Sequence, residues 1–225
     1  YLSQTMLREI ISNPQSTDVQ RREAAALLAV ITYELDAATG GETIEAYLRD
    51  YPDAPDKNRL RALMLLSSYA RHDFDAVTEG MNDVDPDQLN AKERDALILA
   101  YALSLIEEQR YEDAEAQLRI LSLISDSYAA EITFYTAYTD YMNKRYEEAE
   151  KGFEQSRDVE DFYDQSCYYL AEIALATKEY TQAEKTASAA KSKNNAAKNS
   201  KETKVENNKK YPSFVFFGRI YATLI

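Results

Sequence analysis

The sequence predicts an all-α fold, a solenoid of antiparallel helix pairs, and three observations carry that expectation. The octet from Tyr146 to Phe153, with Ala149 in fourth place, recurs from Tyr111 to Leu118 with Ala114 and from Tyr180 to Ala187 with Ala183. A degenerate copy runs from Phe74 to Met81, so the leading aromatics at 74, 111, 146 and 180 stand 37, 35 and 34 residues apart. A period of that length built from helical segments is the mark of a helix–turn–helix array. Glycine and proline number only five each, which suits long helices with short turns and disfavours a many-stranded sheet. Finally, a small residue sits nine places before each turn aromatic (Ala102, Ala137, Ala171) and another three places after it (Ala114, Ala149, Ala183). Small residues on facing helices let the backbones approach, while Tyr101, Leu105, Leu118, Leu170, Ile173 and Tyr180 fill the gaps between them. One pair cannot cover its own apolar face, so each repeat needs its neighbour.

Taken in order, residues 1–14 read as a half repeat, the second helix of a pair. Leu2, Met6, Leu7, Ile10 and Ile11 fall on one face, and Asn13 and Pro14 stop the helix. The first full pair spans about 17–55. Thr17 and Gln20 have capping-box spacing ahead of an apolar helix from Val19 to Leu35. Gly40 and Gly41 mark the expected turn, 43–50 the partner helix, and Pro52 and Pro55 its stop. The pair at 56–89 holds helices at 56–71 and 74–81 around a tight turn at His72 and Asp73, then an extended connection from Asn82 to Leu89. Asn90 and Glu93 read as a second capping box, opening the pair at 90–125 with helices over 91–109 and 111–124. The pairs at 126–160 and 161–190 supply helices at 127–144, 146–157, 162–178 and 180–190. Turns of a few residues make these helices antiparallel neighbours. Residues 191–210, rich in Lys and Asn, read as a linker, a solvated insertion or a fraying helix end, with a basic nucleic-acid arm and a disturbed reading frame as the alternatives. The apolar segment 211–225 reads as a terminal helix, half repeat or cap.

Charge narrows the function. The net charge is −13, yet residues 191–225 carry eight Lys or Arg against two Glu, leaving −19 on residues 1–190. A body that acidic repels nucleic-acid phosphates, so no nucleic-acid partner is expected. No apolar run is long enough for a membrane span. Cys167 is the only cysteine, so no internal disulfide can form, and it reads as a small buried side chain. Enzymatic signals are missing. His72 is the only histidine and lacks the partners of a triad or a zinc site. Asp83, Asp85 and Asp87 have the spacing of a calcium loop, but Pro86 intrudes and Arg94 stands where a bidentate Glu belongs. Adjacent acids such as Glu107 and Glu108, or Glu147 and Glu148, diverge on a helix and read as a solvated face. Neither a glycine-rich phosphate loop nor any other cofactor motif is present, so no catalytic residue, metal or cofactor is expected.

At the repeat residues the chain resembles the tetratricopeptide repeat (TPR) family. Phe217, Gly218 and Tyr221 match its Leu-Gly-x-x-Tyr core with Phe for Leu; Ala149 and Phe153 match its Ala-x-x-x-Phe; Thr43, Tyr47 and Pro55 match its end with Thr for Ala. The chain departs in having no Trp and in usually placing Ala where the family has Gly. The resemblance implies a right-handed superhelix and a non-enzymatic scaffold that binds a protein or peptide in a concave groove lined by the first helix of each pair. Carried over by position, the groove residues are Tyr69, Leu99, Leu103, Phe134, Tyr138, Tyr141, Tyr168 and Glu172, with Arg59, Ala62, Leu66, Ile106, Met142 and Leu175 beside them. Family members that clamp chaperone carboxylates present Lys and Asn at such places; Leu99, Leu103, Phe134 and Tyr138 favour an apolar or aromatic ligand instead. The linkers at 51–55 and 84–89 are similar to those of cell-envelope TPR proteins of Bacteroidetes-type bacteria, which implies a periplasmic or outer-membrane-associated setting and leaves a cytoplasmic one open. A rigid spacer or assembly module of a larger envelope protein is the alternative function.

Overall fold

The computed structural model describes residues 2–177. The helix expected at 180–190, the stretch 191–210 and the segment 211–225 lie outside the described residues, as does the fourth octet with Tyr180, Ala183 and Ala187. The described residues form ten α-helices and three short 3-10 turns, with no strand, so the fold is all-α. They fall into two compact units, the first ending at Glu108 and the second opening at Gln109. That boundary lies inside the pair expected at 90–125.

The first unit holds α1 (Leu2–Ser12), α2 (Asp18–Leu35), α3 (Ala37–Asp50), α4 (Lys57–Ala70), α5 (Phe74–Gly80) and α6 (Ala91–Glu107). Each helix packs on the next, and α4 also touches α2 and α6. The start of α2 is fixed by the expected capping box: the Gln20 N–H donates to Thr17 Oγ1 (3.2 Å) and the Thr17 N–H to Gln20 Oε1 (2.9 Å).

The turn expected at Gly40 and Gly41 is elsewhere. Asp36 makes it alone. Its N–H closes α2 on the Thr32 carbonyl, and its carboxylate accepts from the Ala38 N–H at 3.0 Å to open α3. The two glycines are buried inside α3, where they serve close approach. A Cβ on Gly40 would lie 2.3 Å from Tyr33 Cα of α2, and one on Gly41 would lie 2.4 Å from Ser67 Oγ of α4. That serine also accepts from the Gly41 N–H at 3.1 Å.

Two further expectations change. The connection after α5 is not extended: it winds into 3-10 turns at Met81–Asp83 and Pro86–Gln88. Asn58 of α4 holds it, its side-chain amide donating to the Asp85 carbonyl (2.9 Å) and accepting from the Asp85 N–H (2.8 Å). At the start of α6, Asn90 caps the Glu93 N–H at 2.9 Å, but Glu93 does not complete a box. Its buried carboxylate instead accepts from Arg59 Nε of α4 at 2.8 Å.

The second unit holds α7 (Tyr111–Ile124), α8 (Ala129–Met142), α9 (Tyr146–Ser156) and α10 (Tyr163–Ala176). Neighbours pack in sequence, and α8 also meets α10. A tight crossing joins α8 and α9: Ala137 and Ala149 are buried, and a Cβ on Gly152 would stand 2.6 Å from Ala137 Cβ. Arg145, just ahead of α9, ties three helices together. Its Nε donates to Asp140 of α8 at 2.7 Å, and its Nη2 donates to Glu115 of α7.

Two places before each of the three described turn aromatics, a non-glycine residue takes left-handed backbone: His72 (φ 61°), Gln109 (φ 62°) and Lys144 (φ 63°). The residue that follows closes the turn; the Asp73 N–H reaches Ser68 O at 2.9 Å and the Arg145 N–H reaches Asp140 O at 2.8 Å. These are the six-to-one bonds of a Schellman cap.

Candidate functional site

The second unit gathers most of the expected groove residues that reach a surface. Helix α8 places Phe134, Tyr138 and Tyr141 at spacings of four and three, hence on one side. Helix α10 sets Tyr168 and Glu172 one turn apart on its outer side, with Leu170 and Ile173 buried opposite. Tyr168 is 57% exposed, while Tyr138, Tyr141 and Glu172 are half-buried. Met142 and Leu175 add exposed apolar surface on the same two helices.

Tyr169 ties the cluster together. Its ring lies 5.4 Å from Tyr138, 5.1 Å from Tyr141 and 5.2 Å from Tyr168, centroid to centroid. Its other side stacks on Phe153 of α9 at 5.0 Å. Tyr138 also meets Tyr111 of α7 edge-on at 6.3 Å. These separations and tilts are the favoured ones for aromatic pairs. Tyr169 was not among the expected site residues. Helical periodicity carries its signal: position 169 stands at the border between the buried stripe of Leu170 and Ile173 and the open stripe of Tyr168 and Glu172. An amphipathic ring suits such a border.

The electrostatics follow from burial and one carboxylate. Burial pushes the Tyr169 hydroxyl far above its ordinary pKa, and the neighbouring tyrosines and Glu172 add to the shift. Tyr141 is raised first by burial and then by the Glu172 charge. Tyr168 is raised by burial and then by the charge of the Glu172 carboxylate. All these hydroxyls are therefore protonated donors at neutral pH.

Four expected groove residues do not line a surface. Phe134 is buried, stacked on Phe162 at 4.6 Å and edge-on to Phe153 at 5.6 Å. Tyr69, Leu99 and Leu103 are likewise buried in the first unit. Tyr69 meets Phe74 across the His72 turn at 5.9 Å, and Leu99 and Leu103 belong to the nearly continuous apolar run of α6. Ala62, Leu66 and Ile106 are buried too. Large apolar side chains at these positions pack between helices, because burying one is worth roughly 1.5–3 kcal/mol. Arg59 is exposed, with its Nε on Glu93.

Among the described residues, no group of three or more His, Cys, Asp or Glu side chains could hold a metal ion. Cys167 is buried, and desolvation raises its thiol pKa, which makes it a poor nucleophile. No described helix is long and apolar enough to cross a membrane. No protein-family profile, curated protein or solved structure matches the chain.

Proposed function

We propose that this chain is a non-enzymatic scaffold built of tetratricopeptide-type helix pairs, binding a peptide or protein partner along a concave groove lined by the first helices of its repeats. The observation that carries the reading is the tyrosine face of α8 and α10, where Tyr138, Tyr141 and Tyr168 surround Tyr169 beside Glu172. Tyrosine combines a large apolar ring with a polar tip and loses little rotamer freedom, which is why interfaces favour it. The packing of α8 on both α9 and α10, the small-residue crossing at Ala137 and Gly152, and the recurrent left-handed turn all support the repeat assignment.

A displayed peptide library screened against the full chain tests the reading. Enriched peptides should lose binding on the order of tenfold when Tyr141 and Tyr168 are both replaced by Ala, as expected when interface aromatics are removed. Equal recovery by wild type and variant would sink it.

A second reading, an assembly or spacer module within a larger cell-envelope protein, draws on a different place. Helices α1 and α2 leave an open cleft of about 560 Å³ lined by Leu7, Ile10, Ala24 and Leu27 among others. Exposed Met6 and Val19 lie on the same two helices. Light scattering after size exclusion distinguishes the two. A strict monomer that enriches no peptide favours the spacer; a monomer with groove-dependent peptides favours the scaffold.

A further inference from the structure

We propose that the tyrosine face of α8 and α10 takes a basic peptide, with an Arg or Lys side chain laid against the rings of Tyr141 and Tyr168 and its charged head at Glu172. This rests on the scaffold reading above and names the chemistry of its partner. Three observations point to a cation. Tyr168 is exposed and Tyr141 half-buried, and the negative quadrupole of an aromatic ring attracts an ammonium or guanidinium group. Glu172 stands one helical turn from Tyr168 on the outer side of α10, and its charge acts on both Tyr168 and Tyr141, so one negative charge sits beside the rings. Among the described residues, no Lys or Arg forms an ion pair with Glu172, and Arg145, just ahead of α9, is engaged by Asp140 and Glu115.

The competing chemistries fit less well. An acidic peptide would meet Glu172 and the field of a body that carries −19 over residues 1–190. A wholly apolar peptide would strip water from Glu172 with no countercharge in return, which is costly. An Arg or Lys side chain answers both demands. Its methylene stem covers ring surface while its head meets the carboxylate.

The test uses fluorescein-labelled octapeptides of alternating Gly and Arg, Gly and Glu, or Gly and Leu, titrated into the full chain with anisotropy as the readout. Because an acidic protein attracts any polycation, the decisive comparison is between two variants of equal net charge. Glu172→Gln neutralises the face; Glu112→Gln neutralises an exposed carboxylate on α7. Binding of the Arg peptide should weaken roughly tenfold in Glu172→Gln and in Tyr168→Ala, in line with losing a partly desolvated cation contact, and should change less than about twofold in Glu112→Gln. Circular dichroism confirms that each variant is folded, as the exposure of Tyr168 leads one to expect. Equal weakening in Glu172→Gln and Glu112→Gln would mean diffuse attraction and overturns the proposal. Tight binding of the Leu or Glu peptide instead of the Arg peptide overturns it too but leaves the scaffold reading standing. If neither these probes nor any library peptide binds, both readings fall.

Discussion

Replacing Gly40 by Ala separates two opposed expectations for a single methyl group. At an open helical position the change stabilises by about 1 kcal/mol, because alanine is the better helix former. At Gly40 the added Cβ would lie 2.3 Å from Tyr33 Cα and 2.7 Å from Tyr33 N. Carbon atoms in contact prefer about 3.5–4.0 Å, so α3 must retreat from α2 by roughly 1 Å or more. The obstructing atoms belong to the main chain, and no rotamer change can move them aside. The retreat also loosens Ile44 and Tyr47, both buried on α3. Overpacking of this kind costs about 1–3 kcal/mol. Because main-chain atoms obstruct, the cost falls at the upper end of that range, and after the propensity gain of about 1 kcal/mol the net loss is about 2 kcal/mol. For a cooperative unit of this size that lowers the melting temperature by roughly 8 °C. Thermal and urea denaturation followed by circular dichroism measures the loss, with Glu42→Ala, an exposed site on α3, as a control expected within about 0.5 kcal/mol of wild type. A Gly40→Ala protein as stable as wild type, or more so, would refute the packing argument.

The remaining predictions concern turns and the tyrosine cluster. Lys144→Gly should stabilise by about 1 kcal/mol in urea melts, because the left-handed backbone at φ 63° costs an L-residue about that much and glycine avoids it. A loss of stability would show that the lysine side chain does more than tolerate the turn. Tyr169→Ala should destabilise by about 3 kcal/mol or more, as deletion of a packed aromatic does, while Tyr168→Ala should stay within about 0.5 kcal/mol. Comparable losses from the two would contradict the assignment of Tyr169 as the centre of the cluster. Finally, the folded-state pKa values of Tyr169, Tyr141 and Tyr168 are raised above the ordinary 10.0. Their contribution is fully present below pH 10 and is lost as the pH climbs toward the folded values, since the unfolded chain then releases protons that the folded chain retains. Stability should therefore fall above about pH 10, with part of the phenolate absorbance appearing only on unfolding; a full tyrosine titration near pH 10 in the intact fold would contradict this.

Helix positions were legible in the sequence because the apolar periodicity and the repeated octet speak for themselves: α7 spans the expected 111–124, and the other helices differ mainly at their ends. Gly40 and Gly41 misled because a glycine pair signals a turn when read locally, whereas its use here depends on how near α2 and α4 come. That distance is a property of the fold. Asp36, a short polar residue able to cap in both directions, is the stop that the pair concealed. The left-handed turn positions were hard to read because none of them is glycine, and Gln109 and Lys144 are not residues that conformation favours. In the candidate site, Tyr138, Tyr141, Tyr168 and Glu172 reach a surface. Tyr69, Leu99, Leu103 and Phe134 do not. Family position assigns all eight to the groove, but the size and apolarity of these four send them into the core.

The aromatic cluster also makes the protein its own reporter. The chain has 18 Tyr and no Trp, so no indole drains the excitation that tyrosines absorb. Rings held 5–6 Å apart around Tyr169 pass that excitation among themselves before emitting. Emission from this part of the second unit is thus shared, and a quencher touching Tyr168 alone dims its less exposed neighbours as well. A ligand settling on the outermost ring becomes detectable without any label.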